Sequence, residues 1–290
     1  MTGTFFAEAP AKINLTLDVF PPRPDGFHDL DSVVVKILPV DRLAVSIRES
    51  VAGPRITLEC PGSDLPSGPE NLAYRAADAF LRVVPHPVSV DIRLEKTIPM
   101  QAGMGGGSSD AAAVLRLLND RFPIPPETLL TIGATLGSDV PLFLTTGTVR
   151  MEGKGERLTP ISDDTSLRGV VVQPGIGVPT GPAYRLLDSL PDRQPGRATA
   201  RLRDALQRHA SVREIGDLMS NDFEAAILPA YPEVDAAHRA VTDAGALRTL
   251  LCGSGSAVFG LAEDSDHADD LRQQLLGRFP VVLSVRKWHE

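Results

Sequence analysis

A run of glycines near the middle of the chain has the residue types best suited to chemistry. From Pro99 to Ala113 the sequence reads PMQAGMGGGSSDAAA, with four glycines between positions 103 and 107. Backbone without side chains can approach a ligand closely and point several N–H groups at it. The first turn of a helix adds unpaired N–H groups and a partial positive charge. The segment therefore predicts an anion site, most often one for phosphate.

Three other glycine motifs do not fit this segment. A Walker loop needs lysine after its last glycine, but serine follows Gly107, and a dinucleotide fingerprint that starts at Gly103 needs glycine where Ser108 stands. A nucleophile elbow, Gly-x-Ser-x-Gly, is also not formed by the glycine clusters. On these residues alone one structural alternative stays open, a glycine-rich loop that lets a helix pack tightly on a sheet.

Hydrophobic periodicity predicts the elements that hold this loop. A period of two indicates strands at 5–20, 30–38, 43–48, 56–60, 88–94, 148–151, 169–173, 249–252, 258–262 and 281–287. Helices are expected at 71–84, 108–121, 128–136, 141–144, 198–209, 211–219, 233–244 and 267–279. Because helices and strands mix at short spacing, we expect an α+β fold with two domains, residues 1–160 and 161–290.

Composition and charge narrow the class of protein. The 290 residues carry a net charge of −8, which argues against binding nucleic acid through bulk electrostatics. With only two cysteines, the chain has no sign of a disulfide framework. No apolar run reaches the roughly 18–20 residues of a membrane helix. The first eight residues do not resemble a signal peptide. We expect a cytoplasmic enzyme that acts on a small molecule, binds neither nucleic acid nor membrane, and is a monomer or weak homodimer.

Three motifs taken together resemble one family. The opening APAKINL over 9–15 is followed by RPDGFHDL over 23–30, the glycine-rich segment is followed by LGSDVPLF over 136–143, and LCGSGSAVF spans 251–259. In this order and spacing they are similar to the motifs of the GHMP kinase superfamily, over nearly the whole chain. The resemblance implies ATP-dependent phosphorylation of a hydroxyl.

The resemblance also implies the architecture and the class of acceptor. The expected N-terminal lobe is like domain 2 of ribosomal protein S5, and the expected C-terminal lobe is ferredoxin-like. The opening motif and the Asp-Gly-Phe-His segment favour the member of the superfamily that acts on a cytidine diphosphate sugar alcohol. A homoserine or mevalonate type of kinase, and a nucleotide-binding module without catalysis, are the alternatives.

Two residues match the catalytic positions of the family. The resemblance implies that Asp139 accepts the proton of the acceptor hydroxyl as the new P–O bond forms. It implies that Lys12 keeps this carboxylate ionised and steadies charge on the acceptor oxygen. Without the family, Ser138 or Asp139 would be read as the cap of a helix that begins near Pro141, and Lys12 as an exposed strand lysine.

The resemblance assigns the ATP site as well. The phosphates are expected to be wrapped by Pro99, Met100, Gln101, Ala102, Gly103, Met104, Gly105, Gly106, Gly107, Ser108 and Ser109. Lys96 and Asn71 are expected near the adenosine. Asp110 stands where relatives commonly have asparagine, and we expect its side chain to cap backbone and point away from the triphosphate. Mg2+ is expected with the triphosphate, and no protein ligand for it is named.

The remaining assignments concern the acceptor. Asn14 and His28 resemble substrate-contacting residues, because an amide and an imidazole can both read the polar edge of cytosine. A structural hydrogen bond is the alternative for His28. Asn14 and Lys12 face the same way on a strand.

Aromatic residues are expected to hold the base itself. We expect cytosine between the rings of Phe27 and Tyr184, with Thr180 also contacting the substrate. Phe27 stands where relatives often carry tyrosine, so one polar contact is lost there. Core packing is the alternative for Tyr184. Gly253–Ser256 is expected to form a second tight turn near the substrate diphosphate or the wall of the ATP site, with a plain hairpin turn as its alternative.

Overall fold

The fold is that of a computed structural model, which describes residues 2–50, 53, 55–84, 87–191 and 194–289. The strands of these residues are β1 (Gly3–Asn14), β2 (Thr16–Pro22), β3 (His28–Glu49), β4 (Arg55–Glu59), β5 (Val88–Glu95), β6 (Thr148–Gly153), β7 (Arg157–Ile161), β8 (Arg168–Gln173), β9 (Ser220–Asn221), β10 (Arg248–Leu251), β11 (Val258–Ala262) and β12 (Val281–Arg286). The helices are α1 (Leu72–Leu81), α2 (Gly106–Arg121), α3 (Pro126–Leu136), α4 (Thr180–Asp188), α5 (Ala198–Gln207), α6 (Val212–Leu218), α7 (Glu224–Ala230), α8 (Pro232–Asp243) and α9 (Ser265–Leu275), and a 3-10 helix spans Pro141–Leu144.

These elements form two compact units, each discontinuous in sequence. Unit 1 comprises Met1–Ala11, Val40–Ile98 and Gly105–Thr145, and unit 2 comprises Lys12–Pro39, Pro99–Met104 and Thr146–Glu290. The chain passes from one unit to the other within β1, within β3 and inside the glycine-rich segment. The predicted domains, 1–160 and 161–290, are a different partition of the chain, and that boundary stays a prediction.

In unit 1, a small sheet supports helices. The second part of β3 pairs antiparallel with β5, and β5 pairs parallel with β4. Val45 lies opposite Ile92, and Ile47 lies opposite Val90, all with buried side chains. Helix α2 packs against α1 and α3. Its fully buried alanines, 111–113, have the small side chains that allow such close packing.

In unit 2, four antiparallel strands form a sheet in the order β10-β11-β8-β12. Helix α8 precedes β10, and α9 connects β11 to β12. This strand–helix–strand–strand–helix–strand order is the split βαβ arrangement of ferredoxin-like folds. The α+β class and the ferredoxin-like sheet expected from the sequence are therefore confirmed.

Other strands of unit 2 hold the segments that carry the predicted site. The first part of β3 pairs with β2 on one side and with β6 on the other. Strand β2 also pairs in parallel with the short β9, through Thr16 and Leu17. The N-terminal motif is thereby attached to the chain around residue 220.

Most elements expected from periodicity are present, with differences at their ends. The strands predicted at 30–38 and 43–48 are one continuous strand, β3, in which Pro39 does not interrupt the extended backbone. The sequence pattern does not predict helices α4 and α7, because Gly181 and Pro182 lie in the first turn of α4, and Pro229 lies inside α7. Among the described helices, none is both long and apolar enough to cross a membrane.

Candidate functional site

The glycine-rich segment leads into the N-terminus of the 16-residue helix α2. Gly103 and Gly105 have φ angles of 75° and 73°, in the left-handed region that favours glycine. Gly105 is the N-cap residue and supplies no side-chain cap. The first N–H bonded within the helix is that of Ser109, to the Gly105 carbonyl at 2.9 Å. The helix itself therefore has no acceptor for the N–H groups of Gly106, Gly107 and Ser108, as an anion site requires.

The first part of this segment packs backbone to backbone on the turn between β10 and β11. A Cβ on Gly103 would lie 1.9 Å from the carbonyl oxygen of Cys252, so only glycine fits there. The Ala257 N–H donates to the Ala102 carbonyl at 3.2 Å. The 253–256 turn is thus more than a plain hairpin turn, because it supports the glycine-rich segment.

The side chain of Asn221 holds the 253–256 turn in place through hydrogen bonds to backbone carbonyls. Asn221, in β9, is buried and donates its Nδ2 to the carbonyls of Leu251 and Gly253, at 2.8 and 2.7 Å. The Cys252 thiol is also buried, and this burial raises its pKa to about 12 although the Lys12 ammonium acts in the opposite direction. Sequence reasoning missed Asn221, which lies in no motif.

Lys12 is buried near the end of β1, with 5% of its surface exposed. The alternative of an exposed strand lysine is therefore wrong. Its backbone N–H donates to the Met104 carbonyl at 2.9 Å. Its Nζ lies 3.1 Å from the position that a Cβ on Gly253 would take. The ammonium therefore lies beside the 253–256 turn, and the Lys12 backbone is bonded to the glycine-rich segment at Met104.

A chain of hydrogen bonds orients this ammonium. Lys12 Nζ donates to Asn14 Oδ1 at 2.8 Å, and Asn14 Nδ2 donates to Ser32 Oγ at 2.8 Å. Ser32 Oγ donates in turn to the Thr16 carbonyl at 2.5 Å. The donors and acceptors match only with the Asn14 amide in this orientation, so the network holds the ammonium. The predicted contact of Asn14 with the substrate stays a prediction.

His28 and Tyr184 form an aromatic pair in unit 2. Their ring centroids are 4.6 Å apart with 30° between the planes, and the rings of Tyr184 and Phe223 form a T-shaped pair with centroids 4.9 Å apart. His28 is buried, and its Nε2 lies 2.8 Å from Asp188 Oδ1. Asp188, which sequence reasoning missed, ends α4 one turn after Tyr184. The helical spacing would have found it if α4 had been predicted.

The other residues predicted to bind the acceptor lie at the surface. Phe27 is 55% exposed, and the Lys154 ammonium lies 4.1 Å from its ring centroid. Thr180 is exposed at the start of α4. The structure brings Tyr184 to His28, and the cytosine sandwich between Phe27 and Tyr184 stays a prediction.

In unit 1, Lys96 lies between two buried carboxylates. Its Nζ contacts Asp41 Oδ2 and lies 2.7 Å from Asp110 Oδ2. Asp41 Oδ1 also accepts the N–H groups of Thr97 and Ile98, at 2.5 and 2.8 Å. Burial would lower the pKa of Lys96, but the two carboxylates outweigh it and raise this pKa. The ammonium lies 3.3 Å from the position that a Cβ on Gly106 would take, directly beside the start of α2.

Asp110 does not cap backbone, so that prediction is wrong. It is the fifth residue of α2, past the uncapped first turn, and its side chain pairs with Lys96. Burial raises its pKa to about 7; Lys96 opposes this shift, and Asp41 adds to it. Its Oδ1 and the Ser109 hydroxyl are buried without a hydrogen-bond partner among the described residues, which is uncommon for buried polar atoms. Asp41 was missed, because one acid in a long strand gives no signal by itself.

Asp139 lies half-buried in the turn after α3. The N-cap of the 3-10 helix is Val140, without a side-chain hydrogen bond, so the prediction that Ser138 or Asp139 caps it is wrong. Ser108 Oγ lies 3.8 Å from the position that a Cβ on Gly137 would take.

Helix α2 also contacts the 3-10 helix that follows this turn. The Arg116 guanidinium of α2 donates to the Phe143 carbonyl at 2.9 Å. One helix therefore presents the uncapped N–H groups and bonds the 3-10 helix that follows the turn with Asp139.

Asn71 has a structural role at the start of α1. Its Oδ1 accepts the Ala73 N–H at 2.9 Å as an N-cap, and its Nδ2 donates to the Pro66 carbonyl at 3.0 Å. Nδ2 also lies 4.0 Å from the Cys60 sulfur. The predicted positions of Asn71 and Lys96 near the adenosine stay predictions. In the part of the chain that the structure describes, no three His, Cys, Asp or Glu side chains are grouped so as to hold a metal ion.

Comparison with known proteins gives consistent results over the whole chain. Residues 71–147 match the family model of the GHMP kinases N terminal domain, and residues 202–281 match that of the GHMP kinases C terminal. The 4-diphosphocytidyl-2-C-methyl-D-erythritol kinase of Geobacter sulfurreducens is 39% identical over 281 residues, which cover 96% of this chain and 97% of that protein.

Solved structures agree with these matches. A crystal structure of 4-(cytidine 5'-diphospho)-2C-methyl-D-erythritol kinase has a TM-score of 0.83 and 35% identity, and the alignment covers 98% of this chain and 100% of that chain. A homoserine kinase from Cytophaga hutchinsonii has a TM-score of 0.73 at 19% identity, covering 99% of this chain and 95% of that one, and shares the fold alone.

Proposed function

The chain belongs to the GHMP kinase family, and we propose that this ATP-dependent small-molecule kinase phosphorylates the 2-hydroxyl of 4-diphosphocytidyl-2-C-methyl-D-erythritol. The observation that carries the proposal is the close similarity, over nearly its whole length, to relatives that are named for this activity. The product would be an intermediate of the non-mevalonate route to isoprenoid precursors.

The ATP phosphates are proposed to bind along Pro99–Ser109. Two observations support this: the left-handed glycines of the segment and the uncapped N–H groups that open α2. A helix N-terminus stabilises a bound anion by about 0.3–1 kcal/mol through its dipole alone, and direct N–H bonds add to this. Lys96 and Asn71 are proposed to lie near the adenosine.

Asp139 is proposed to act as the base, and Lys12 as its electrostatic partner. A kinase needs a carboxylate to accept the proton of the attacking hydroxyl. Asp139 lies in the turn after α3, and the N-cap position of the next helix is Val140. Lys12 is suited to stabilise negative charge on the acceptor oxygen, since Asn14 and the backbone around Met104 fix its position.

Mg2+ is proposed to accompany the triphosphate, whose charge must be neutralised during transfer. Within the described residues no cluster of three metal-binding side chains is present. Phosphate oxygens, water and serine hydroxyls at the start of α2 are proposed to supply most of its ligands.

The cytidine end of the acceptor is proposed to contact Asn14, Phe27, His28, Thr180 and Tyr184. The support is the buried His28 imidazole, which stacks on Tyr184 and is oriented by Asp188. We further propose that the protein is cytoplasmic, acts as a monomer or weak homodimer, and does not bind nucleic acid, in keeping with its net charge of −8.

A phosphorylation assay tests the proposal. Purified protein is incubated with ATP, Mg2+ and 4-diphosphocytidyl-2-C-methyl-D-erythritol, with homoserine and mevalonate as parallel acceptors. We expect ADP release and a new phosphomonoester, visible by 31P NMR, with the cytidine acceptor only. Turnover of homoserine or mevalonate instead would assign the chain to the other type of GHMP kinase.

A further inference from the structure

We propose that Asp188 determines the selectivity of the acceptor site for an amino-pyrimidine over a keto-pyrimidine, by fixing the tautomer of His28. The inference rests on the proposed function, and it concerns a residue that the family motifs do not include. Asp188 is a positioning residue here, since it acts through the imidazole.

The geometry of this pair is specific. His28 begins β3 and is buried, whereas Asp188 ends α4 with 31% of its side chain exposed. The 2.8 Å contact between Nε2 and Oδ1 joins residues that are 160 positions apart in the sequence. Tyr184, four residues before Asp188 on α4, stacks on the same imidazole, so one helix face both covers the ring and bonds its edge.

The chemistry of the carboxylate sets the state of the ring. An ionised carboxylate only accepts hydrogen bonds, so Nε2 must carry the proton. In a neutral imidazole the other nitrogen, Nδ1, is then an acceptor. Within the described residues Asp188 is the one hydrogen-bond partner of this imidazole, which leaves Nδ1 for a ligand.

An acceptor at Nδ1 distinguishes two kinds of base. The 4-amino group of cytosine donates a hydrogen bond, whereas the 4-keto group of uracil can only accept one. Uracil would place its 4-keto oxygen against Nδ1, so that two acceptors face each other and Nδ1 is left unpaired. The lost hydrogen bond costs binding free energy, and sites built around a specific hydrogen bond discriminate between ligands in this way. The carboxylate of Asp188 thus makes the site select cytidine.

Kinetics of variants test the inference. The readout is the ratio of kcat/KM for the cytidine diphosphate acceptor to kcat/KM for its uridine analogue. In Asp188→Asn the amide accepts from or donates to Nε2 equally well, so both tautomers become available. We expect the ratio to fall roughly tenfold, mainly through the KM of the cytidine acceptor, with the KM of ATP unchanged. Asp188→Glu, which keeps a carboxylate, should restore part of the ratio.

A matched control exists on the surface. Asp164 pairs with His209 through the same two groups at 2.7 Å, with both side chains well exposed. Asp164→Asn should leave the ratio unchanged. If Asp188→Asn slows both acceptors equally and keeps the ratio, the role of Asp188 is only structural and the inference is wrong.

An NMR measurement on the wild-type protein makes the test independent of turnover, and a variant serves only to assign the signals. Long-range 1H–15N spectra report the tautomer of each imidazole, and His28→Gln identifies the His28 signals among the six histidines. We expect the Nε2-protonated neutral ring, and a shift of Nδ1 on adding CDP but not UDP. A proton on Nδ1 of the neutral ring, or equal responses to both nucleotides, would overturn the inference. If the proposed function is wrong, the wild-type protein does not phosphorylate the cytidine acceptor at all. This result is distinct from both outcomes of the NMR measurement.

Discussion

Gly103 contacts the carbonyl of Cys252 so closely that the backbone of one glycine motif forms part of the support for the other. Both the left-handed φ of 75° and the 1.9 Å that would separate a Cβ from the carbonyl oxygen exclude a side chain at this position. The shape of the proposed phosphate loop therefore depends on a backbone contact made far away in sequence.

Gly103→Ala should destabilise the protein and weaken ATP binding. The left-handed conformation alone costs a non-glycine residue about 1–2 kcal/mol, and the clash adds to this. Gly277→Ala is the matched control, because Gly277 has a φ of 76° with nothing within 4 Å of the added Cβ. Urea unfolding should show a clearly larger loss for Gly103→Ala. Equal losses would mean that the contact with Cys252 is not tight in solution.

Asp139→Asn should abolish most of the phosphoryl transfer and leave nucleotide binding intact. Removing a general base typically costs 10²–10⁴-fold in rate, and the amide keeps the size of the side chain. Turnover is measured by ADP release, and ATP binding by calorimetry. Asp120→Asn, at an exposed position of α2, is the control and should behave as the wild type. Turnover near the wild-type rate would remove Asp139 from the role of base.

Asn14→Ala should reduce kcat while the KM of ATP is nearly unchanged. The change removes one acceptor of the Lys12 ammonium and leaves a buried charge less well paired, which costs about 1–3 kcal/mol for such a group. Ser32→Ala removes only the next link, so a smaller loss is expected. If the two variants lose the same activity, the network does not act through Lys12.

Stability should depend on pH through Asp110. Burial chiefly raises the folded-state pKa of its carboxyl to about 7, from the ordinary value of 3.8 for aspartate. The folded state therefore holds a proton that the unfolded state releases, and the stability contributed by this group declines as pH rises from about 4 to about 7. The measurement is the difference in unfolding free energy between the wild type and Asp110→Asn at each pH. The wild type should lose stability relative to the variant across this window, and the difference should be constant above pH 8. A difference that does not change with pH would contradict the buried, proton-binding carboxyl.

The local parts of the site could be predicted from the sequence because they depend on residues close together in the chain. Glycine is needed for the left-handed backbone at 103 and 105, and Asn71 has the side chain of an N-cap, so loop, helix start and cap all follow from neighbouring residues. The motifs also indicate the GHMP kinase family, which the whole-chain comparisons confirm.

The pairings over long sequence distances could not be predicted in this way. Asp188 reaches His28 across 160 residues, and Asp41 reaches Lys96 across 55. Each depends on how strands and helices pack, which periodicity does not encode. The cap assignments at Asp110 and Asp139 were wrong for a related reason: α2 begins two residues before its expected start, and Val140 takes the cap position.

The two cysteines differ in a way that is useful for spectroscopy. Cys252 is enclosed with a pKa of about 12, whereas Cys60 is only partly covered, although burial raises its pKa as well. Alkylation of the native protein at mildly alkaline pH should stop at one adduct, counted by mass spectrometry. A fluorophore attached there would lie beside Asn71. If Asn71 lies near the adenosine, as proposed, the emission of this fluorophore would change on nucleotide titration, without engineering a new thiol.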